Sequence, residues 1–151
     1  MNKIEITRRL EFDAGHRIPN HGGQCRHLHG HRYRLEVTVS GDVISTPGAE
    51  DEGMLIDFGL IKKIANEFIV EPWDHAFIAY KGDENLTTFL SSIPEHKTVL
   101  LDKIPTVENL AQHIFNVLSP EISKQYKNRL QLTKIRMYET PNCWADISYV
   151  A

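Results

Sequence analysis

The chain has little cysteine, no long apolar run and no surplus of positive charge. Only Cys25 and Cys143 are cysteines among its 151 residues, so no disulfide framework holds it together. Two free thiols fit a reducing, cytoplasmic location. No apolar stretch approaches the roughly 20 residues of a membrane span. The opening Met1-Asn2-Lys3-Ile4-Glu5 lacks the apolar core of a signal peptide. A net charge of −3 and the absence of any Lys/Arg run remove the electrostatic case for nucleic acid as a partner. Internal repeats, low-complexity tracts and composition shifts are also missing. The expectation is one domain, residues 1–151, long enough to bury a core without staples.

What the chain does have is histidine in one place. Cys25-Arg26-His27-Leu28-His29-Gly30-His31 carries three of its eight histidines at every second position. Tyr33, Leu35, Val37 and Val39 follow, alternating with Arg32, Arg34, Glu36 and Thr38, so the run feeds into a strand. Residues two apart on a strand share a face at roughly 6.5–7 Å. Two imidazoles at that spacing can converge on one zinc ion, which predicts His29 and His31 as ligands. His27 and His31 would lie about 13 Å apart on a straight strand, so a third ligand must come from elsewhere. His16, closing the first strand-like stretch after Phe12-Asp13-Ala14-Gly15, is the candidate. The plainer alternative is a group of solvated histidines near a strand start.

The remaining patterns predict an α+β fold. Residues 3–14 and 30–41 read as strands joined by a Gly-, Asn- and His-rich loop, and a hairpin between them would bring His16 to His29 and His31. Residues 42–54 read as an inserted loop. Asp57 is an N-cap candidate for a helix with Leu60, Ile61, Ile64, Ala65, Phe68 and Ile69 on one face, ended by Pro72. Residues 73–105 are irregular, with a short helix around 84–91 and an apolar run Val99-Leu100-Leu101. Thr106 caps a second helix whose stripe Leu110, Ala111, Ile114, Phe115 and Leu118 runs up to Pro120. Two closing strands follow, with Pro141-Asn142 as the turn. The expected order is ββααββ, a four-stranded antiparallel sheet with two helices on one face.

Four further residues carry candidate chemistry. Cys25, in a loop, is a catalytic thiol, a zinc ligand or an inert buried thiol. Asp74-His75 is either a carboxylate-oriented proton-transfer pair or an exposed polar loop. Glu139 continues the inward parity of Ile135 and Met137, so its carboxylate needs a partner. That partner is an arginine or backbone N–H, or a ligand offering paired N–H donors. Cys143 reads as core, and His113 as a helix-surface or core histidine.

Six segments occur in one order: Phe12-Asp13-Ala14-Gly15-His16, Cys25 to His31, Gly53-Met54-Leu55-Ile56-Asp57-Phe58, Asp74-His75, Pro105-Thr106-Val107-Glu108-Asn109-Leu110 and Tyr138-Glu139-Thr140. Together they resemble the 6-pyruvoyl-tetrahydropterin synthase family over nearly the whole chain. The three residues between Cys25 and His29 resemble the bacterial branch that makes 6-carboxy-5,6,7,8-tetrahydropterin for queuosine; the biopterin-pathway branch has a longer spacer. The resemblance implies the tunnelling fold and a homohexamer built as a dimer of trimers, with active sites at subunit interfaces. It implies Zn2+ on His16, His29 and His31, catalysis by Cys25 with Asp74 and His75, the pair coming from a neighbouring subunit, and a pterin held by Glu139 with Thr106 nearby. The implied reaction converts 7,8-dihydroneopterin triphosphate to 6-carboxy-5,6,7,8-tetrahydropterin, acetaldehyde and triphosphate. The alternative is 6-pyruvoyl-tetrahydropterin synthase, which removes triphosphate only. Two departures stand out: Ala76-Phe77-Ile78-Ala79 follows the Asp-His pair where many members show Leu-Asn, and the 42–53 loop is long. A metal-free cysteine hydrolase and a non-catalytic zinc-stabilised pterin binder are the competing classes.

Overall fold

The structure, a computed structural model, describes residues 2–151. Its first two strands, β1 (Glu5–His16) and β2 (His29–Gly41), form a long antiparallel hairpin in register from Glu5↔Ser40 to His16↔His29. Alternation sends Leu10, Phe12 and Ala14 of β1 to the same buried face as Tyr33, Leu35, Val37 and Val39 of β2. Two closing strands, β5 (Leu130–Thr140) and β6 (Cys143–Ser148), extend the sheet beyond β2. Ile135 and Met137 of β5 face Val37 and Leu35 and complete the buried face.

The sheet has six strands, not the expected four, and it is mixed. Strands β3 (Ala76–Tyr80) and β4 (Thr98–Leu101) add to the other side of β1 in the order β4-β3-β1-β2-β5-β6, both pairing in parallel. Their sequences hide them because β3 is buried on both faces. Ile78 joins the main core, while Ala79 packs with Leu86 and Leu90, with Phe77 against them. A strand buried on both sides shows an unbroken apolar run and no alternation.

Four helices accompany the sheet. Asp57 caps α1 (Phe58–Ala65), its carboxylate accepting from the Gly59 N–H. A π-helical turn, Asn66–Val70, leads into the short α2 (Glu71–Trp73). Pro72 has no N–H for the carbonyl four residues back, and the Glu71 N–H reaches the Asn66 carbonyl five residues away instead. Helix α4 (Val107–Tyr126) begins at Thr106, whose hydroxyl accepts from the Asn109 N–H at 3.2 Å. It runs through Pro120 rather than ending there, because burial of Ile122 one half-turn further on offsets the lost hydrogen bond. Helices α1 and α4 pack on the main core as expected. Helix α3 (Glu84–Ser91) lies on the opposite face of β3, a second layer that the ββααββ pattern does not contain.

The β5–β6 hairpin turns at Pro141-Asn142, and Ala145 and Ile147 pack against the core. Cys143 is exposed rather than buried, because it sits at the turn end of an edge strand. No helix among the described residues is long and apolar enough to cross a membrane.

Candidate metal centre

At one end of the hairpin the buried face turns from apolar to polar. His16 ends β1 opposite His29, which starts β2, and His31 follows two residues on. All three side chains continue the inward parity of Ala14 and Tyr33, so they cap the core at the sheet end. Their metal-binding nitrogens lie within 4.8 Å of one another. His16 is wholly buried, and its ring lies 4.6 Å from that of His29 and 5.0 Å from that of His31.

Hydrogen bonds fix the tautomers. His16 Nδ1 donates to the Pro105 carbonyl at 2.8 Å, and His29 Nδ1 donates to the His27 carbonyl at 2.7 Å. A carbonyl only accepts, so in each neutral ring the proton sits on Nδ1 and the Nε2 lone pair is free. Those two Nε2 atoms are 3.1 Å apart. Two lone pairs at that distance repel unless a cation lies between them. A tetrahedral ion with Zn–N bonds of 2.0–2.1 Å sets its ligand nitrogens about 3.3 Å apart. His31 Nε2 is buried and has no hydrogen-bond partner. Burial holds both His16 and His31 below the ordinary imidazole pKa, which keeps them neutral and able to ligate. Carbonyl acceptors behind ligating imidazoles are the usual second layer of a zinc site. The donor set, the tautomers and the orphaned nitrogen all fit a metal ion.

Glu139 stands beside this cluster. Its carboxylate is 3.6 Å from His31 Nε2 and less than a quarter exposed, and it has no arginine among its ion-pair partners. Tyr33 lies beneath, its ring 5.9 Å from His16 and 5.6 Å from His31, stacked on Phe12 at 5.5 Å. The Tyr33 hydroxyl is buried without a partner among the described residues. Burial, then Glu139, then Cys25 push its pKa far above the ordinary phenol value. Cys25 occupies a single 3-10 turn, Gln24–Arg26, pinned by the Ile18 N–H donating to the Cys25 carbonyl at 2.8 Å. Its sulfur is not among the donor atoms clustered within 4.8 Å, so Cys25 does not join the histidine group.

Asp74 and His75 form a pair but lie elsewhere. His75 Nδ1 is 3.0 Å from Asp74 Oδ2, and Asp74 Oδ1 accepts from the Asp13 N–H at 3.0 Å. The His75 N–H donates to the Asp13 carbonyl, which holds His75 at a left-handed φ of 62°. The Asp13 N–H and the His75 imidazole together keep the Asp74 carboxyl below its usual pKa. Lys97 Nζ donates to the Glu71 and Asp74 carbonyls and braces the turn. The Asp13, Asp74 and His75 side chains gather on the outer face of β1, opposite the histidine cluster. Gly15 and Gly30 pair across that face, and a Cβ on Gly15 would fall 2.6 Å from the Phe77 ring. One chain therefore does not bring Asp74-His75 to His16, His29 and His31.

Thr106 caps α4 next to Pro105, the residue whose carbonyl orients His16. A polar cleft of about 660 Å³ is bordered by Arg17, Arg26, His27 and Ile104, and none of the three histidines lines it. Arg17 is paired bidentately with Asp83, and Glu84 adds a second acid, so the cleft carries no surplus of positive charge. His113 is exposed on α4, and its ring lies 5.7 Å from that of the buried Trp73 at a 34° tilt. Sequence reasoning missed the Pro105 and His27 carbonyls, which no side-chain pattern reveals, and Tyr33, which the run of inward positions 29, 31 and 33 does reveal.

A model of the family described as 6-pyruvoyl tetrahydropterin synthase matches residues 5–149. A 6-carboxy-5,6,7,8-tetrahydropterin synthase of Rickettsia bellii is 40% identical over 144 residues, covering 95% of this chain and 99% of the relative. The protein of that name from Haemophilus influenzae is 34% identical over 146 residues, covering 95% and 97%. Among solved structures, the 6-pyruvoyl tetrahydropterin synthase of Plasmodium falciparum superposes with a TM-score of 0.72 at 23% identity, covering 98% of this chain and 99% of that one. A Wolinella succinogenes protein gives 0.78 at 20% identity, covering 99% and 100%. These two likenesses establish the fold, and the sequence matches along almost the whole length place the chain in the 6-pyruvoyl tetrahydropterin synthase family.

Proposed function

We propose that this family member is a zinc-dependent 6-carboxy-5,6,7,8-tetrahydropterin synthase, a carbon–carbon lyase formed by a single domain and working in the cytoplasm in queuosine biosynthesis. It would convert 7,8-dihydroneopterin triphosphate to 6-carboxy-5,6,7,8-tetrahydropterin, acetaldehyde and triphosphate. Atom balance gives one consumed water, since the three product oxygens on the former side chain exceed the two hydroxyl oxygens that supply them. The observation that carries the reading is the convergence of three imidazoles beside an inward carboxylate without an arginine. The names of the Rickettsia and Haemophilus relatives support the carboxy product, as does the short Cys25–His29 spacer.

Zinc, held by His16, His29 and His31, supplies a Lewis acid for the oxygens of the substrate side chain. The protein residues do the rest. Pro105 and His27 carbonyls keep each Nε2 aimed at one point. Glu139 accepts the paired N–H donors of the pterin, and Thr106 stands near the same pocket. Cys25 moves protons at the side-chain carbons with an Asp74–His75 pair. That pair must come from another copy, because in one chain it faces away. Incubation with 7,8-dihydroneopterin triphosphate and mass analysis of the products tests the reading. Acetaldehyde with a carboxy-pterin is expected; a pyruvoyl-pterin would move the chain to the triphosphate-removing branch, and no turnover would leave a binding module.

The homohexamer that the family resemblance implies would meet the same requirement. Strands β4 and β6 leave open edges with unpaired backbone groups, and Trp144 on β6 is 47% exposed. Light scattering should give about six chain masses. A stable monomer at micromolar concentration would remove both the ring and the shared site.

The Glu139→Gln variant should weaken binding of a pterin analogue by roughly 2–4 kcal/mol. One charge-assisted bond is lost, and the new amide N–H opposes a pterin donor. Zinc content and oligomer size should not change. Calorimetric titration measures it; equal affinity would make Glu139 a structural carboxylate.

A further inference from the structure

We propose that the Tyr33 hydroxyl is a substrate-binding donor, directed at an acceptor on the pterin ring edge between the Glu139 end and the metal end. This deepens the pterin reading and rests on it. Tyr33 is fully buried, yet its hydroxyl meets no donor or acceptor among the described residues. A phenylalanine would fill the same space against Phe12 without stranding a polar atom, so the hydroxyl costs stability in the protein alone. Such a cost is usually retained where a ligand satisfies the group.

The position fits that use. Tyr33 shares the inward face of β2 with His31 and His29, two and four residues away, and its ring packs against His16 and His31. Glu139 lies on the adjacent strand within 3.6 Å of His31. A pterin whose amine and N3–H meet Glu139 and whose C6 side chain meets the histidines presents its C4 carbonyl oxygen and N5 in between. Both are acceptors in a 7,8-dihydropterin. A phenol O–H, donating from below, complements either. The carboxylate accepts, the phenol donates and the histidines hold the cation, so the three elements would read three different features of one ring system.

Tyr33→Phe tests the assignment with 7,8-dihydroneopterin as the probe and three readouts. Thermal melting of the variant should be unchanged or higher, because an unpaired buried hydroxyl has been removed. Zinc content should be unchanged. Affinity for the probe should fall by about tenfold, the size of one buried neutral hydrogen bond. Equal affinity in parent and variant would overturn the inference and leave the pterin reading standing. A lower melting temperature would also overturn it, by showing that the hydroxyl is bonded within the protein. A parent that does not bind the probe at all would overturn the pterin reading itself, and this inference with it.

Discussion

Replacing His16 and His29 together with alanine is expected to take bound zinc from about one ion per chain to background. The two Nε2 atoms 3.1 Å apart are the core of the proposed centre, and a tetrahedral zinc left with one imidazole loses the ligand count that gives it affinity. Loss of second-layer partners alone typically costs 10–100-fold in metal affinity, so loss of two direct ligands costs far more. His16 is buried, and its removal also leaves the Pro105 carbonyl without a donor. The single variant His29→Ala separates the two effects, since His29 is only half-buried and pairs with a carbonyl two residues away. It should keep a melting transition close to that of the metal-free parent while losing most of its zinc. Elemental analysis after dialysis reads the outcome. Stoichiometric zinc in the double variant would show that the ion sits elsewhere and would end the proposal of a three-histidine site.

The parts of the fold that were legible in the sequence are those where one face is wet. β1, β2 and β5 alternate, so their parity gives the buried face, and with it the convergence of His16, His29 and His31 and the inward course of Glu139. β3 is wrapped by core on one side and by α3 on the other, so five apolar residues give no period to read. Its parallel pairing to β1 and β4 joins segments with no turn signal between them. Pro120 misleads for a related reason: local chemistry ends the helix, but the tertiary contact of Ile122 continues it. The placement of Asp74-His75 on the outer face depends on that unread β1–β3 contact. The dipeptide shows a pair, but only the register Ala14↔Ala76 fixes which side of the sheet it serves.

Cys25→Ala should keep zinc and lose turnover. The thiol stands outside the group of converging nitrogens, so its removal leaves the metal's ligands and their carbonyl partners intact. The link that holds the loop, Ile18 N–H to the Cys25 carbonyl, is a backbone bond that alanine preserves. The fold and the neighbouring His27–His29 contact should therefore survive. What disappears is the thiol that the proposed mechanism uses to move protons. Positioned acid–base groups contribute typically 10²–10⁴-fold, so product formation from 7,8-dihydroneopterin triphosphate should fall by about that factor. A binding readout sharpens the test, since affinity for a pterin analogue, which the proposed mechanism assigns to Glu139, should stay within about twofold of the parent. Loss of zinc in the variant would move Cys25 into the ligand set and remove it as the base. Unchanged turnover with unchanged zinc would make it a bystander and transfer the proton chemistry to the Asp74–His75 pair of a neighbouring copy.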